Sequence, residues 1–391
     1  MTAVLSLNVG SSSLKAAGFV RTGAELKKVF TATHDASAGD TELVVHRNGT
    51  AHTLGRPGED YREGALALLA HAGEVLGGRL VVGHRVVHGG RLSGAPVRLD
   101  AGTIDRLRAF APLAPLHQIA NLAPAEALLE ARPDLFQTAS FDTSFHETMP
   151  ETSRQLPLPA SVTGETLRRY GFHGLSFRSV ARRMAGHGFV RIVALHLGGG
   201  ASVCAMRDGR SIDTTMGATP LAGPMMTTRA GSVDPGVLLH LLERGHDTER
   251  LADLLWKKSG LLGVSEESSD LRDLIGSGSA AAETAVELFC ADLVRHTGAM
   301  VARLGGMDAV VFTGGAGAGQ PLIRERVAEA FDWAGLRLDA EGNAALTEQG
   351  VAPQGSRISA PDSGIEAWVL PVDEETEIAR DACQLSEEED L

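Results

Sequence analysis

A two-domain α/β protein whose halves share one topology is predicted by three observations. The 391 residues exceed the roughly 250–300 that one hydrophobic core usually serves. Each half opens with a strand, a turn of small residues and a second strand. Hairpins at the start then give way to alternating helices and strands, the order expected of sheets covered by helices.

In chain order, residues 3–9 and 14–20 read as strands joined by the polar turn 10–13. Residues 41–46 and 51–54 read as a hairpin, with Asn48-Gly49 supplying the types that a primed turn prefers. Apolar spacing over 61–76 predicts a helix, and 79–87 and 137–142 read as strands. The pattern restarts with strands over 191–197, 202–207 and 211–215. Strands at 309–313 and 367–372, a helix from Pro321 and a final helix from about Asp373 follow. The expected domains are 1–146 and 147–376, with a helix over 377–391 crossing back to the first. The acidic end, Ser386-Glu387-Glu388-Glu389-Asp390, reads as a solvated tail.

Composition excludes several classes. A formal charge of −13 disfavours nonspecific binding to nucleic acid, which demands basic surface. No apolar run approaches the ~20 residues needed to span a bilayer, and no leader is visible at the start. Three cysteines without CxxC spacing argue against a disulfide framework or a zinc site. A cytoplasmic location is therefore expected. In so acidic a chain, an anionic ligand must be held by locally placed guanidinium, ammonium and backbone N–H groups.

Three small-residue segments could do so. Asn8-Val9-Gly10-Ser11-Ser12-Ser13-Leu14-Lys15 combines a glycine, three hydroxyls and one of only five lysines, a phosphate cradle by residue type. A plain polar hairpin accounts for it as well. His196-Leu197-Gly198-Gly199-Gly200-Ala201-Ser202 stands in the matching place of the second half, and its glycines leave backbone amides unobstructed. Alone it is a bulge or sharp turn; the pair is more specific than either member. Phe312-Thr313-Gly314-Gly315-Ala316-Gly317-Ala318-Gly319 could pass for a dinucleotide fingerprint, but it lies late in the chain rather than in a first βα turn. Arg85, Asp142, His173 and Arg229 lie in polar or turn-rich stretches, and spacing alone does not bring them together.

With these residues in view, the sequence closely resembles acetate kinases nearly end to end. The resemblance rests on the two segments at Asn8 and His196. It rests also on Ala114-Pro115-Leu116-His117, the stretch 141–150, Arg169-Tyr170-Gly171-Phe172-His173-Gly174, Thr219-Pro220-Leu221, Asp270-Leu271-Arg272 and Glu374-Glu375, all in the family's order. It implies two ribonuclease-H-like domains of duplicated topology, the actin-like ATPase fold, with an active-site cleft between them, and a homodimer. The implied reaction is reversible transfer of the ATP γ-phosphoryl group to acetate. By family position Arg85 holds the carboxylate, Arg229 and His173 stabilise the transferring group, and Asp142 orients the carboxylate or the metal-bound phosphate. Asn8 and Glu374 match magnesium-site positions, with Mn²⁺ as a substitute metal. Ser11, Ser13, Lys15 and His196, Leu197, Gly198, Gly199 and Gly200 match phosphate-facing positions. Asp270, Leu271, Arg272, Gly315, Ala316, Gly317, Ala318 and Gly319 match the nucleotide site. Val87, Leu116, Phe172 and Pro220 match an apolar pocket for the acyl methyl, and His117 matches a functional histidine. Propionate is an expected second substrate, because one methylene is worth only ~1–3 kcal/mol.

The chain also departs from the family. Family members usually carry Gly-Ile-Gly-Glu-Asn where this chain has Gly315-Ala316-Gly317-Ala318-Gly319, asparagine where it has Gly199, and glutamate and leucine where it has Ala222 and Pro224. These departures predict a nucleotide site less selective for its base. Competing readings are a propionate or butyrate kinase, a nucleotide-gated interaction protein and a Rossmann dehydrogenase.

Overall fold

A computed structural model describes residues 2–10, 13–23, 25–35, 42–57, 61–92, 94–164 and 166–389. The chain divides into two compact units, Met1–Glu147 with Asp373–Leu391, and Thr148–Val372. The boundary expected at 376 therefore falls four residues late. One unbroken helix, Glu374–Glu388, buries Ile378, Ala379, Ala382 and Cys383, so its first turn goes with the sheet that the rest covers.

The first unit contains strands β1 (Thr2–Val9), β2 (Ser13–Thr22), β3 (Glu25–Asp35), β4 (Leu43–Arg47), β5 (Thr50–Gly55), β6 (Arg79–Val86), β7 (Val97–Arg98) and β8 (Phe136–Phe141). They form one sheet in the order β5-β4-β3-β2-β1-β6-β8-β7. Strands β1, β6 and β8 are parallel, while β1 through β5 pair as antiparallel neighbours. Asn48 and Gly49 both have positive φ, 51° and 78°, as the two-residue turn between β4 and β5 requires. Thr41, the expected start of that hairpin, lies outside the described residues.

Alternation along β1 and β6 sorts side chains to two faces. Leu5, Leu7 and Val82 join Leu68 and Leu128 of the helices Arg62–Val75 and Gln118–Ala131 on one face. Val4 and Val81 meet Ala379 and Ala382 of the C-terminal helix on the other. That helix lies close because β6 carries Gly83, where an added Cβ would sit 2.7 Å from Ile378 Cγ2. The acidic end is solvated as expected, with Glu387, Glu388 and Glu389 exposed, but it closes a helix instead of forming a loose tail. Ser386 is buried, and Glu387 and Glu389 pair with Arg21 and Arg98 at 2.8 and 2.9 Å.

The second unit contains β9 (Arg191–Leu197), β10 (Ala201–Arg207), β11 (Arg210–Thr214), β12 (Ala309–Thr313), β13 (Ser356–Arg357) and β14 (Glu366–Val369), in the order β11-β10-β9-β12-β14-β13. Strands β9, β12 and β14 are parallel, and β9, β10 and β11 antiparallel. The run β11-β10-β9-β12-β14 thus repeats β3-β2-β1-β6-β8 in order and direction. This is the duplicated ribonuclease-H-like topology. Residues Gly314–Gly319, which read in sequence as a strand-to-helix turn, are themselves a short helix before the helix Pro321–Glu329. Among the described residues, no helix is long and apolar enough to cross a membrane.

Candidate active site

In open sheets of this kind, ligands bind beyond the carboxyl ends of the parallel strands. The first unit gathers its polar side chains there. Asn8 near the end of β1, Arg85 on β6 and Asp142 just after β8 form one buried cluster with Glu374 and Glu375 of the C-terminal helix. Arg85 grips Asp142 in a fork, Nε donating to Oδ1 at 2.8 Å and Nη2 to Oδ2 at 2.6 Å, while Nη1 donates to Asn8 Oδ1 at 3.1 Å. Burial opposes the charge on Arg85, but Asp142 and Glu374 outweigh it and hold the guanidinium protonated above its ordinary range. These three bonds leave two of its five N–H donors for a ligand. Asp142, expected to orient the substrate itself, has both oxygens engaged by Arg85. Asn121 of the Gln118–Ala131 helix braces the strand ends, donating to Val9 O at 2.9 Å and accepting from Val87 N at 3.0 Å.

The same cluster fits a divalent cation. Asn8 Nδ2 donates to Glu374 Oε2 at 2.8 Å and to Glu375 Oε1 at 2.9 Å, so two carboxylates converge on one amide. Burial, and then the neighbouring Glu374 charge, push the Glu375 carboxyl up. That surplus of negative charge is what a bound cation offsets. Among the described residues no group of three or more His, Cys, Asp or Glu forms a ready-made metal cage. Lys15 is exposed on β2 directly across from Asn8, and Ser13 closes the preceding turn by accepting from Gly10 N at 2.7 Å. Ser11 lies outside the described residues. Val87 is buried, whereas Leu116 and His117 are half-buried before the Gln118–Ala131 helix.

In the second unit, the glycine turn after β9 faces a pair of imidazoles and an arginine. His173, at φ 58° and ψ 23°, heads the helix Gly174–Met184. Its ring stacks on His196 at 4.1 Å between centroids. Serines hold the two Nδ1 atoms, Ser202 at 2.8 Å from His173 and Ser176 at 2.9 Å from His196. A Cβ on Gly200 would lie 2.6 Å from Arg229 Nη2 and 3.1 Å from the His173 ring, so only glycine lets the three meet. Arg229 is buried and donates to Pro220 O at 2.6 Å. No carboxylate among the described residues lies within ion-pair distance of it, and burial pulls it down to about 10. Phe172 and Pro220 are buried beside these residues in sequence. Leu197 belongs to the core.

A cavity of about 520 Å³ in this unit is lined by Gly198, Gly199, Asp270, Leu271, Arg272, Gly315, Ala316 and Gly319, with Thr227, Gln320 and Glu348 among the others. Asp270 caps the helix Leu271–Ser277 by accepting from Arg272 N at 2.8 Å. It also takes the Arg272 side chain at 3.0 Å, so the two expected nucleotide contacts hold each other at the rim. Gly317 and Ala318, expected in the nucleotide site, do not line the cavity. They are buried, and their carbonyls accept from Arg324 at 3.1 and 2.6 Å.

Asn121, Glu375, Ser176, Ser202, Arg324 and Glu348 were not singled out from sequence. Glu375, next to Glu374, and Ser202, at the end of the His196 segment, lay within matched stretches; the others are ordinary residues until the fold places them.

Comparison with known proteins agrees with this architecture. The model of the acetokinase family matches residues 3–380. Acetate kinase of Rhodopseudomonas palustris (strain TIE-1) is 44% identical, and acetate kinase of Pseudomonas aeruginosa (strain LESB58) 39% identical, each over 98% of both chains. The crystal structure of Porphyromonas gingivalis acetate kinase superposes with a TM-score of 0.83 at 33% identity, covering 98% of this chain and 100% of that one. A propionate kinase from Francisella tularensis gives 0.85 at 29% identity, covering 98% and 100%. On matches of this length and identity, the chain belongs to the acetokinase family.

Proposed function

We propose that this protein catalyses the reversible, Mg²⁺-dependent transfer of the ATP γ-phosphoryl group to acetate, giving acetyl phosphate and ADP by direct in-line displacement. The observation that carries the reading is Arg229, a buried guanidinium without a carboxylate partner, set against His173 and an open glycine turn. Such a charge is costly unless a ligand anion completes it.

Each group then has a role in the chemistry. Arg85 presents its two remaining donors to the acetate carboxylate, and Asp142 acts through Arg85 by fixing its plane. By the family resemblance Val87, Leu116, Phe172 and Pro220 are assigned to the methyl group of the substrate. An acetate oxygen, already ionised at pH 7, forms the new bond to the γ-phosphorus. The bond to the bridging oxygen breaks, and its electron pair leaves with ADP. No proton needs to move, so positioning and charge stabilisation supply the rate. Arg229 and His173 stabilise the equatorial oxygens as charge builds there. By the family resemblance Lys15, Ser11 and Ser13, and likewise His196, Gly198, Gly199 and Gly200, are assigned to the phosphates. Glu374, with Asn8, would hold Mg²⁺, which when bound neutralises phosphate charge.

Propionate is the expected second substrate, because an added methylene is a weak discriminator. The decisive measurement is trapping of acetyl phosphate as its hydroxamate from ATP, Mg²⁺ and acetate, beside propionate and butyrate. Nucleotide binding with no acyl phosphate formed in either direction would return the chain to the class of nucleotide-gated interaction proteins.

We place the enzyme in a reducing cytoplasm, where Cys204, Cys290 and Cys383, all free and buried, stay reduced. We also propose a homodimer, supported by the helix Pro235–Glu243. None of its residues is buried, yet Val237, Leu239 and Leu242 are 46%, 63% and 41% exposed. An apolar face of this kind suits a second copy of the chain. Leu239→Glu is expected to give monomers in sedimentation equilibrium; an unchanged dimer would remove this helix from the interface.

A further inference from the structure

We propose that Glu348 reads the purine base of the phosphoryl donor and equips this site for guanine nucleotides. The inference rests on the reading that the second unit's cavity takes the donor nucleotide. Glu348 opens the short turn Glu348–Gly350, which packs on the Gly314–Gly319 helix. Its exposed side chain lies within ordinary contact range of that helix. A Cβ at Gly315 would lie 3.8 Å from Glu348 Oε1, and one at Gly319 would lie 3.7 Å from Glu348 Cβ and 3.9 Å from Oε2.

The Glu348 carboxylate thus lies beside Gly319, where family members usually carry asparagine; at Gly315 they too have glycine. That carboxylate lines the same cavity as Gly199 and Arg272, and it makes no side-chain hydrogen bond or ion pair among the described residues. Gly199 leaves the opposite side open, with nothing within 4 Å of an added Cβ.

The chemistry of a carboxylate decides which base it favours. At neutral pH it only accepts hydrogen bonds. Guanine presents N1–H and its exocyclic amino group side by side, a pair of donors that two carboxylate oxygens match in a fork. Adenine presents one amino donor beside the N1 lone pair, which a carboxylate oxygen repels. Hypoxanthine keeps N1–H and lacks the second donor. Glutamine at this position would reverse the preference, because its amide offers one acceptor and one donor, the complement of adenine.

The test compares kcat/KM for GTP, ITP and ATP, at saturating acetate and Mg²⁺, in the parent enzyme, Glu348→Ala and Glu348→Gln. The ratio of two donors on one enzyme is insensitive to any loss of folded protein. GTP is expected to equal or exceed ATP in the parent, with ITP below GTP. Both variants should lower the GTP-to-ATP ratio by about tenfold or more, the effect of one or two hydrogen bonds to a charged group, and Glu348→Gln should lower it further. A ratio unchanged within twofold in both variants overturns the proposal. A parent enzyme that uses ATP but not GTP also overturns it while leaving the phosphoryl-transfer reading intact. Failure of every nucleotide to yield acetyl phosphate would instead overturn the reading on which it rests.

Discussion

An Arg229→Met enzyme is expected to lose about three orders of magnitude in kcat, yet to unfold at the parent's temperature or above it. The first half follows from the chemistry. Removing a guanidinium from a developing phosphoryl charge is worth about 10³–10⁵ in rate, and the neighbouring His173 lacks a permanent charge to replace it. The second half follows from the packing. At pH 7 Arg229 is charged, far below its value of about 10, and the folded protein bears the cost of burying that charge with one carbonyl bond at 2.6 Å. Methionine keeps much of the stem's volume and removes the charge, so the ligand-free protein should lose nothing. Hydroxamate assays give kcat, and calorimetry without ligands gives Tm. A kcat within tenfold of the parent would remove Arg229 from the mechanism. A Tm lowered by many degrees would make its charge structural.

Arg324→Met should behave in the opposite way and destabilise the second unit by about 3–5 kcal/mol. Arg324 is also buried without a carboxylate, and burial also pulls it down to about 10. The difference lies in its bonds. It donates to Gly317 O, Ala318 O, Asn343 Oδ1, Asn343 O and Leu346 O, all between 2.6 and 3.1 Å. Two of these oxygens end the Gly314–Gly319 helix, where a cation is also favoured by the helix dipole. The others hold the 343–346 segment that leads to Glu348. Methionine would remove five hydrogen bonds and leave buried acceptors short of a donor, with Asn343 O keeping only its bond from Leu346 N at 3.3 Å. Urea unfolding should show the loss, and KM for ATP should rise as the cavity wall loosens. Lysine, a point donor in place of a planar fork, should recover only part. A variant as stable as the parent would mean that these carbonyls find other partners.

The two arginines show how far residue type alone can be read. Arg229 stood out through its place in a recognisable segment; Arg324 did not stand out at all. Local pattern was legible where it is written in neighbouring residues: alternation along β1 and β6, the Asn48-Gly49 turn, and the matched glycine turns that open each half. Strand β3 escaped notice because Glu25, Lys27 and Lys28 obscure its alternation. Gly314–Gly319 read as a turn because glycine has low helix propensity; two bonds from Arg324 stabilise the helix from outside the segment. The acidic end read as a tail because its partners, Arg21 and Arg98, are distant in sequence.

By itself the sequence determined the duplicated α/β architecture, the family and the residue types of the site, since these follow from periodicity and from ordered matches along the chain. Only the tertiary structure decided what each group does to its neighbours. It set Asp142 in a fork with Arg85, left Arg229 without a counter-charge among the described residues, moved Gly317 and Ala318 off the cavity wall and put Glu348 there. The physical reason is that burial, hydrogen-bond partners and electrostatic surroundings belong to positions in space, and the residues that set them here lie tens to hundreds of positions apart along the chain.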